Sequence, residues 1–316
     1  MYESNITSTV CVITNNRPKV LKSCLIAISN QIIKPNDVII IDSSDDLIYN
    51  SFVKIDFPDY KYFYEKHELG SQPILRNIAL SKCTTDIICF IDDDAFPHEN
   101  WLQIIIKAFM EFDNIGSLGG RIIQGTTLYP KSHKDALSLT GKYNLFKWAY
   151  GSYNVVYPNS INIDALQGTN MCFKTNLLKS IGGFDAKLAH GYASFEDTDV
   201  CLTLKRMKFD TLYIPDAVVV HGLEPRAKGY SRDLGIDYNF TYSYARNGSL
   251  VHLKNSKIKF LGILILFSIV LLINAVRIFL PIVNNKRLVD ICNKNRINSF
   301  KYFLKGIIDG TKLYFQ

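Results

Sequence analysis

The sequence lacks the features that mark several classes of protein. Its 316 residues contain no long low-complexity tract, and 47% of them are hydrophobic, which excludes an intrinsically disordered chain. The first residues, MYESNITSTV, have no basic segment followed by an apolar one, so we expect no secretory signal there. The seven cysteines include no C-x-x-C pair. This pattern argues against a zinc site and predicts free, buried thiols in a reducing compartment.

Acidic residues are scarce in the last third of the chain. Between Lys254 and Lys312 only Asp290 and Asp309 stand among many lysines and arginines, although the whole chain carries a formal charge of only +7. A basic region that flanks an apolar stretch indicates an anionic membrane surface as its partner. Nucleic acid is the alternative, but the sequence contains no nucleic-acid-binding motif, so we expect no such partner.

The apolar stretch of this basic region is short. It covers residues 260–276 without a charge, and Arg277 interrupts it before residues 278–283. A membrane span needs about 20 residues, so we interpret 260–283 as an in-plane or re-entrant membrane-associated segment. A true span and a soluble helix that could form a homodimer are the alternatives. The last residues, LYFQ, resemble the remnant of a protease-cleavable tag.

The first 115 residues alternate apolar runs with amphipathic segments. Strands are predicted over 9–13, 37–46, 60–64 and 86–94, and helices after Pro18, over 71–83 and over 99–112. Strands without polar alternation, separated by helices, predict a parallel sheet covered on both faces. Polar clusters follow three of these strands, at 14–17, 42–46 and 92–94. If the strands are neighbours, the clusters share one ligand-binding crevice at the carboxyl edge of the sheet.

Three aspartates in a row follow the apolar run ICFI. Carboxylates at positions i and i+2 of an extended segment point to the same side, so Asp92 and Asp94 can face one cation while Asp93 points elsewhere. Such a pair suits Mg²⁺ or Mn²⁺. The alternative is an acidic helix start, which Pro97 and Glu99 support.

A second acidic cluster, SFEDTD, covers residues 194–199. Ser194 and Asp197 have the spacing of a helix capping box, which would explain the acids without any chemistry. Alternatively, a carboxylate here could deprotonate a hydroxyl within hydrogen-bond reach.

Further polar residues have open interpretations. His221, after the run DAVVV, either closes a strand or completes a metal site as a neutral imidazole. Several cations could neutralise a diphosphate, although each is by itself compatible with a solvated surface: Arg76, Arg226, Lys228, Arg232 and Arg246. The aromatic residues Trp148, Tyr150, Tyr153 and Tyr157 could stack on acceptor sugars or pack in the core.

Taken together, the sequence resembles a family-2 glycosyltransferase of the GT-A fold over about residues 8–250. The resemblance rests on ordered motifs: TVCVITNNRP, VIIIDSSDD, RNIALSKCTTDIICFIDDD, GTNMCFKTNLLKSIGGFD, FEDTDVCLTLKR and VVVHG. It implies a Rossmann-like α/β domain over 1–250, whose mostly parallel sheet has helices on both faces. Residues of about 1–115 would bind the nucleotide sugar and 116–250 would form the acceptor and catalytic half. A C-terminal membrane-associated helical region, 251–316, would follow.

The resemblance also assigns roles to individual residues. The loop from Thr14 through Asn15 to Arg17, together with Asp42, would hold the base and ribose, and Arg76 would contact the base. Asp94 and Asp92 would bind the Mn²⁺ or Mg²⁺ ion with His221, and Asp93 would lie at the donor. Asp197 would be the catalytic base, paired with Glu196. The remaining assignments are the sugar-bordering Gly168, Thr169 and Asn170, the diphosphate contacts Arg226, Lys228 and Arg246, and the acceptor contacts Trp148 and Tyr150.

The activity implied is inverting, metal-dependent transfer of one sugar, with UDP the favoured nucleotide. The loop TNNRP has no aromatic residue after the threonine, which departs from the family's base-stacking pattern. YARNG stands about where processive synthases have Q-x-x-R-W, which favours single transfer over polymerisation. A glycan or lipid-linked glycan acceptor would place the protein at the cytoplasmic face of a membrane, peripheral or monotopic, in cell-surface polysaccharide synthesis. The alternatives are a D-x-D phosphohydrolase and a non-catalytic, membrane-attached binding subunit.

Overall fold

The computed structural model describes residues 6–45, 51–67, 71–144, 148–191, 195–222, 238–256 and 296–316. The predicted diphosphate contacts Arg226 and Lys228, and the apolar stretch over 260–283, lie outside the described residues. Within the described part of the chain, no helix has both the length and the apolar character that a membrane crossing requires.

The described residues alternate strands and helices in the first half and become irregular after residue 123. The strands are β1 (Ser8–Thr14), β2 (Asp37–Asp42), β3 (Lys61–Tyr64), β4 (Ile87–Asp92), β5 (Ala95–Pro97), β6 (Ile115–Ile123), β7 (Lys142–Asn144), β8 (Trp148–Tyr150), β9 (Ile161–Asn162), β10 (Asn170–Lys174) and β11 (Asp210–His221). The helices are α1 (Pro18–Ser29), α2 (Ser51–Asp56), α3 (Gln72–Lys82), α4 (Trp101–Glu111), α5 (His133–Leu139), α6 (Thr175–Ser180), α7 (Glu196–Arg206), α8 (Tyr238–Asn255) and α9 (Arg296–Phe315).

One large sheet organises the fold, in the order β3-β2-β1-β4-β10-β6-β11-β5, with β9 paired to β11. β3, β2, β1 and β4 are mutually parallel, as predicted from their uninterrupted apolar runs. β10 enters antiparallel between β4 and β6, so the sheet is mixed. β7 and β8 form a separate antiparallel pair.

The core lies on both faces of the sheet. Successive residues of β1 alternate between the two: Val10 and Val12 pack in one hydrophobic cluster with α1 and α4, and Cys11 packs in the other with α3 and α7. Because both faces are covered, the strand needs apolar residues at every position. Burying each such side chain stabilises the fold by about 1.5–3 kcal/mol.

The segment directly after the three aspartates is not the acidic helix start that was the alternative to a metal site, whereas the helix predicted over 99–112 forms as α4. Residues 95–97 form the edge strand β5, and α4 begins only at Trp101. β5 pairs antiparallel with the end of β11, so that Ala95 lies opposite His221, and the amide of Gly222 donates to the carbonyl of Asp94 at 2.7 Å. The backbone of β5 therefore brings His221 beside the aspartates.

The C-terminal helices pack on the catalytic half of the chain. Residue 250, the predicted domain boundary, lies inside α8, and α9 packs along α8. The two backbones approach closely because glycines face α8: a Cβ on Gly310 would lie 2.1 Å from the Arg246 carbonyl oxygen, and one on Gly306 would lie 2.4 Å from that of Tyr242. The end of α8 is held to α7 by Lys254, whose Nζ lies 2.5 Å from Asp199 Oδ2.

Candidate active site

The carboxyl ends of β1, β2 and β4 meet at one edge of the sheet. Thr14 is in register with Asp42, and Ile13 with Asp92. The polar clusters that follow these strands therefore lie side by side, as the sequence predicted, because the carboxyl ends of adjacent parallel strands share one edge.

The predicted nucleotide-binding residues of the first two strands form hydrogen bonds with residues of the neighbouring loop and strand. The Asn15 side-chain amide donates to the carbonyl of Ser43 at 2.6 Å. Asp42 is buried, and its carboxylate accepts from the backbone amide of Ser44 at 2.8 Å and from the hydroxyl of Tyr62. These bonds shape the loops at the carboxyl edge, with Asn15 exposed and the Asp42 carboxylate turned inward.

Arg17 links two of the three aspartates. Its guanidinium forms a buried ion pair with Asp93 and donates from Nη1 to Asp94 Oδ2 at 2.8 Å. Thr14 Oγ1 donates to Asp93 Oδ2 at 2.7 Å. Asp93, with 1% of its surface exposed, thus faces the protein rather than the pocket. This matches the prediction that the middle carboxylate points away from its two neighbours.

Asp92, Asp94 and His221 form a candidate metal site. One ligand atom from each lies within 4.8 Å of the others. His221 Nε2 is 3.2 Å from Asp94 Oδ1, and its Nδ1 is 2.8 Å from Gln124 Oε1. Although burial raises the pKa of Asp94, bonds from His221 and Arg17 outweigh it and bring that pKa to about 2. The carboxylate is therefore ionised, and two oxygen donors with one imidazole suit Mn²⁺ or Mg²⁺.

Arg76 connects this cluster to the second acidic cluster. Its Nη1 donates to Glu196 Oε1 at 2.6 Å, and its Nη2 lies 3.9 Å from Asp92 Oδ1. Arg76 is only 4% exposed, so its charge is desolvated and needs these carboxylates. Gly168 makes the position possible, because a Cβ there would lie 2.6 Å from Arg76 Nη2.

Glu196 and Asp197 are the first two residues of α7. Asp197 Oδ2 accepts from the Gly168 amide at 3.0 Å, and Oδ1 accepts from the Thr198 amide at 2.6 Å. Burial raises the pKa of Asp197 despite these bonds and the Arg76 charge. Burial and the Asp197 charge raise the pKa of Glu196 to about 7 against the opposing effect of Arg76. Both groups are thus shifted towards the range useful for proton transfer.

The start of α7 is strained rather than conventionally capped. Phe195 occupies the position before the helix with φ at 74°, the left-handed region, and its side chain is buried. Ser194, the predicted capping residue, lies outside the described residues. A left-handed phenylalanine costs about 1–3 kcal/mol and persists where packing holds it. Its ring packs against Trp148 and Tyr244, which supply that packing.

A pocket of about 370 Å³ brings the two acidic clusters together. Its wall includes Asp92 and His221 on one side and Glu196 and Asp197 on the other. The other lining residues are Gln72, Arg76, Ala149, Tyr150, Gly151, Tyr153, Leu166, Gln167, Gly168, Thr169, Phe195, Thr198 and Tyr244. Catalytic and metal-ligating candidates from three separate motifs therefore face one space.

Besides Asp93, which the resemblance assigned to the donor but which faces the protein, three described residues predicted to contact the sugar, diphosphate or acceptor do not line the pocket. Trp148 is only 5% exposed and stacks on Phe303 at 6.2 Å, so core packing describes it better than acceptor contact. The buried side chain of Asn170 accepts from Trp101 Nε1 at 3.0 Å instead of bordering the pocket. Arg246 does not line the pocket; it donates to the Lys187 carbonyl at 2.9 Å.

Sequence reasoning missed two residues of the site. Gln124, which bonds His221, follows β6 in a stretch without a recognisable motif. Tyr244 reaches the pocket from α8, far along the chain from the motifs. The only signal for Tyr244 was the aromatic and basic character of residues 230–252. This character does not show which of these side chains faces a pocket.

Comparisons with known proteins identify the family of the chain. A family model described as glycosyltransferase like family 2 matches residues 7–234 of the chain. Among curated proteins, the pre-mycofactocin glycosyltransferase of Mycobacterium tuberculosis is 25% identical over 167 residues, which cover 52% of this chain and 32% of the relative. The chain thus matches about a third of the length of that relative.

Several solved structures have a similar fold. TarS 1–349 of S. aureus in complex with UDP-GlcNAc has a TM-score of 0.59 at 16% identity, and the match covers 97% of this chain and 81% of that one. The mannosyltransferase PcManGT from Pyrobaculum calidifontis in complex with GDP-Man and Mn²⁺ has a TM-score of 0.55 at 16% identity, covering 98% and 87%. GalNAc-T7 with UDP, GalNAc and Mn²⁺ has a TM-score of 0.59 at 14% identity, covering 77% and 51%. These similarities show a GT-A-like α/β fold.

Proposed function

Because the chain belongs to the glycosyltransferase like family 2, we propose that it moves one sugar from a nucleoside-diphosphate sugar, with UDP favoured, to an acceptor hydroxyl. The observation that carries the proposal is the shared pocket. Asp92 and His221 of the candidate metal site and Asp197 at the start of α7 line the same space. A donor held at one wall would present its anomeric carbon to an acceptor at the other.

Asp92, Asp94 and His221 would hold a divalent ion, Mn²⁺ or Mg²⁺. Two carboxylates and an imidazole within 4.8 Å fit the donor preferences of these ions. Gln124 would orient His221 by bonding its other ring nitrogen. When bound, the ion would supply positive charge that stabilises the departing nucleoside diphosphate. Two of the similar structures contain Mn²⁺ with a nucleotide, which supports this assignment.

Asp197 would accept the proton of the acceptor hydroxyl. Its Oδ2 is oriented by the Gly168 amide, and its raised pKa makes it a stronger base than an exposed aspartate. As the hydroxyl oxygen forms its bond to the anomeric carbon, the bond from that carbon to the diphosphate oxygen breaks and the proton passes to Asp197. A single displacement from the opposite face inverts the anomeric configuration.

Glu196 and Arg76 would organise this reaction. The buried ion pair between them holds a positive charge 3.9 Å from Asp92, at the boundary between donor and base. A fixed cation here favours the negative charge that develops on the diphosphate. Arg76 would thus have two roles: it links the two acidic clusters, and it stabilises the diphosphate of the donor.

The acceptor would be a glycan or a lipid-linked glycan in cell-surface polysaccharide synthesis. Tyr150, Tyr153 and Tyr244 line the pocket, and aromatic rings with hydroxyl groups suit the apolar faces and polar edges of sugars. A lipid-linked acceptor would place the enzyme at the cytoplasmic face of a membrane.

The proposal is tested first by ligand-dependent thermal stability. The purified chain is melted with a panel of nucleotides and nucleotide sugars, each with Mn²⁺ and with EDTA. We expect a metal-dependent rise for one nucleotide, because a ligand at about 100 times its Kd stabilises by about 2.7 kcal/mol. The rise should be lost in Asp94→Ala and retained in Asp210→Asn, a carboxylate at the distant start of β11.

Turnover then separates the alternatives. Release of nucleotide only when an acceptor is present, with an inverted anomeric signal by NMR, supports transfer. Release of phosphate without an acceptor would indicate a phosphohydrolase. Metal-dependent donor binding without turnover would instead indicate a binding subunit. No shift with any nucleotide would contradict the metal–diphosphate account.

A further inference from the structure

Positive charge is concentrated in the part of the chain that the transfer reaction does not use. Residues 251–316 contain eight lysines and three arginines against two aspartates, a net charge of +9. The preceding 250 residues therefore carry −2, since the whole chain carries +7. Charge of one sign gathered at one end of a chain indicates a partner of the opposite sign.

Helix α9 displays part of this charge on one side. Lys301, Lys305, Ile308 and Lys312 recur at intervals of three and four residues, so they lie on one face, and Tyr302 borders it. All five are exposed, while Lys305 Nζ lies 5.6 Å from the Tyr242 ring centroid and Lys312 Nζ lies 3.8 Å from Asp309 Oδ1. We call these five residues the outer face of α9.

The opposite side of α9 is fixed by packing. Gly306 and Gly310 face α8 at close range, and Ile307, between them in sequence, is 2% exposed. Trp148 stacks on Phe303 at 6.2 Å, and Lys187 donates to the Leu313 carbonyl at 3.2 Å. The helix therefore cannot rotate about its axis without losing these contacts, and the outer face keeps its direction.

We propose that the outer face of α9 docks on the surface of an anionic lipid bilayer. Three lysines on one face complement acidic headgroups, and each attracts them while its long stem lies along the apolar boundary. Tyr302 and Ile308, which are 37% and 38% exposed, stand among the lysines and can enter the headgroup region. Asp309, the single acid in α9, accepts from the Tyr242 hydroxyl at 2.9 Å through Oδ2, and its Oδ1 lies 3.8 Å from Lys312 Nζ, so it offsets part of the charge of one lysine.

This composition favours a bilayer over two other partners. A nucleic acid would attract the lysines but would leave Ile308 exposed to water. A second copy of the same face would set lysine against lysine, which repels. The apolar stretch over 260–276 precedes α9 in the same basic region, so the sequence next to the face is also suited to a bilayer.

The docking surface is connected to the pocket through α9 and a series of packed aromatic rings. Tyr244 lines the pocket and lies 5.4 Å from Trp148, which stacks on Phe303 of α9. A bilayer bound at the outer face would thus lie across α9 from the rings that pack against the pocket. This last step, which rests on the proposed function, assigns the acceptor to the lipid-linked class.

Vesicle flotation with the full chain tests the docking surface. We expect binding to vesicles that contain phosphatidylglycerol, weaker binding to pure phosphatidylcholine, and loss of the difference at high salt. Lys301→Gln/Lys305→Gln/Lys312→Gln should weaken binding to the acidic vesicles at least about tenfold, because each lysine near the surface contributes severalfold. The triple glutamate variant should bind more weakly still.

The matched control changes three exposed lysines elsewhere, Lys54→Gln/Lys131→Gln/Lys134→Gln. It should bind acidic vesicles like the unchanged chain, and all variants should melt within a few degrees of it. Equal flotation of the α9 glutamine variant and the control would overturn the proposal, as would equal binding to both lipids. A fluorescent oligonucleotide that binds the chain and displaces it from vesicles would assign the face to nucleic acid instead.

The two proposals fail separately. Flotation needs no donor, metal or turnover, so a chain without transferase activity would still be tested. Conversely, a chain that transfers sugar to a soluble acceptor but ignores acidic vesicles would keep the proposed function and lose the docking surface. The link between the docking surface and a lipid-linked acceptor is contradicted if the glutamine variant keeps full activity on an acceptor embedded in acidic vesicles.

Discussion

The two halves of the site are built differently. In the donor half, residues 6–115, the polar side chains follow consecutive parallel strands and bond to one another, as Arg17 does with Asp93 and Asp94. In the acceptor half, residues 116–256 with α9, the pocket residues depend on packing between distant elements. Phe195 is held in a left-handed conformation by Trp148 and Tyr244, and Trp148 in turn stacks on α9. The donor edge is a product of topology, whereas the acceptor wall is a product of long-range packing.

The largest effect is expected from a substitution that removes the proposed catalytic base and leaves the donor half unchanged. Asp197→Asn keeps the size of the side chain and an oxygen that can accept from the Gly168 amide, but it cannot take a proton. We expect kcat to fall about 10³-fold, equal to about 4 kcal/mol, with donor affinity unchanged. Steady-state rates and nucleotide titration measure the two quantities. Asp210→Asn is the control, and activity within tenfold of the unchanged chain would exclude Asp197 as the base.

The next largest effect is expected from a substitution that breaks the Arg76–Glu196 ion pair, which links the two halves. Arg76→Leu leaves Glu196 buried without its cation, and Glu196 Oε2 already has no hydrogen-bond partner among the described residues. We expect the free energy of unfolding to fall by about 3 kcal/mol, measured by urea denaturation. Adding Glu196→Gln should recover part of the loss, because it removes the uncompensated charge. A double variant less stable than Arg76→Leu would contradict the pairing.

A smaller effect should loosen the acceptor wall and leave the donor edge intact. Gly310→Ala places a methyl group 2.1 Å from the Arg246 carbonyl oxygen, so α9 must shift. We expect a loss of about 2 kcal/mol in unfolding free energy and a higher KM for acceptor, with nucleotide affinity unchanged. Lys54→Ala, at an exposed position of α2, should change neither. If Gly310→Ala weakened nucleotide binding instead, the two halves would not be separable.

The buried acid at the junction should also make stability depend on pH. The folded-state pKa of Glu196 is raised from 4.5 to about 7, so the native state binds its proton more tightly than the unfolded chain. This contribution is fully present below about pH 4.5 and is lost as pH rises to about 7, by at most about 1.4 kcal/mol per pH unit. Melting temperatures across this range should fall less steeply in Glu196→Gln. Identical slopes would mean that Glu196 ionises normally in the fold.

The smallest effect concerns the donor half. Thr14→Val removes the 2.7 Å bond to Asp93 while keeping the shape of the side chain. We expect a loss of about 1 kcal/mol in stability and weaker metal-dependent nucleotide binding, because Asp93 and Arg17 together position Asp94. Thr14→Ser retains the hydroxyl and should behave like the unchanged chain. Weaker acceptor binding with normal donor binding would be the opposite of this expectation.

The predictability of the site follows the same division. The sequence indicated that Asp92 and Asp94 diverge from Asp93, because alternation along an extended chain is local geometry. It also placed Thr14, Asp42 and Asp92 at one edge, because parallel strands leave little choice of direction. The contact between Arg76 and Glu196 was not predicted, since it joins α3 to α7 through a space that only Gly168 leaves open.

The errors have equally physical causes. Pro97 and Glu99 supported an acidic helix start as the alternative to a metal site, but pairing with β11 makes residues 95–97 a strand, and the helix begins only at Trp101. An aromatic residue near a pocket can stack on a sugar or on another aromatic ring of the protein, and the residue type does not distinguish these two roles. Trp148 and Asn170 therefore could not be placed until their neighbours Phe303 and Trp101 were known.

By itself, the sequence determined the parallel strands of the donor half, the three motifs that carry carboxylates and a histidine, and the basic C-terminal region. These features depend on local periodicity and charge, which a chain displays before it folds. Tertiary structure alone decided that His221 lies beside Asp94, that Arg76 joins the two acidic clusters, and that α9 turns its lysines outward. Such contacts arise from the packing of distant elements, and packing is set by shape complementarity that no single segment contains.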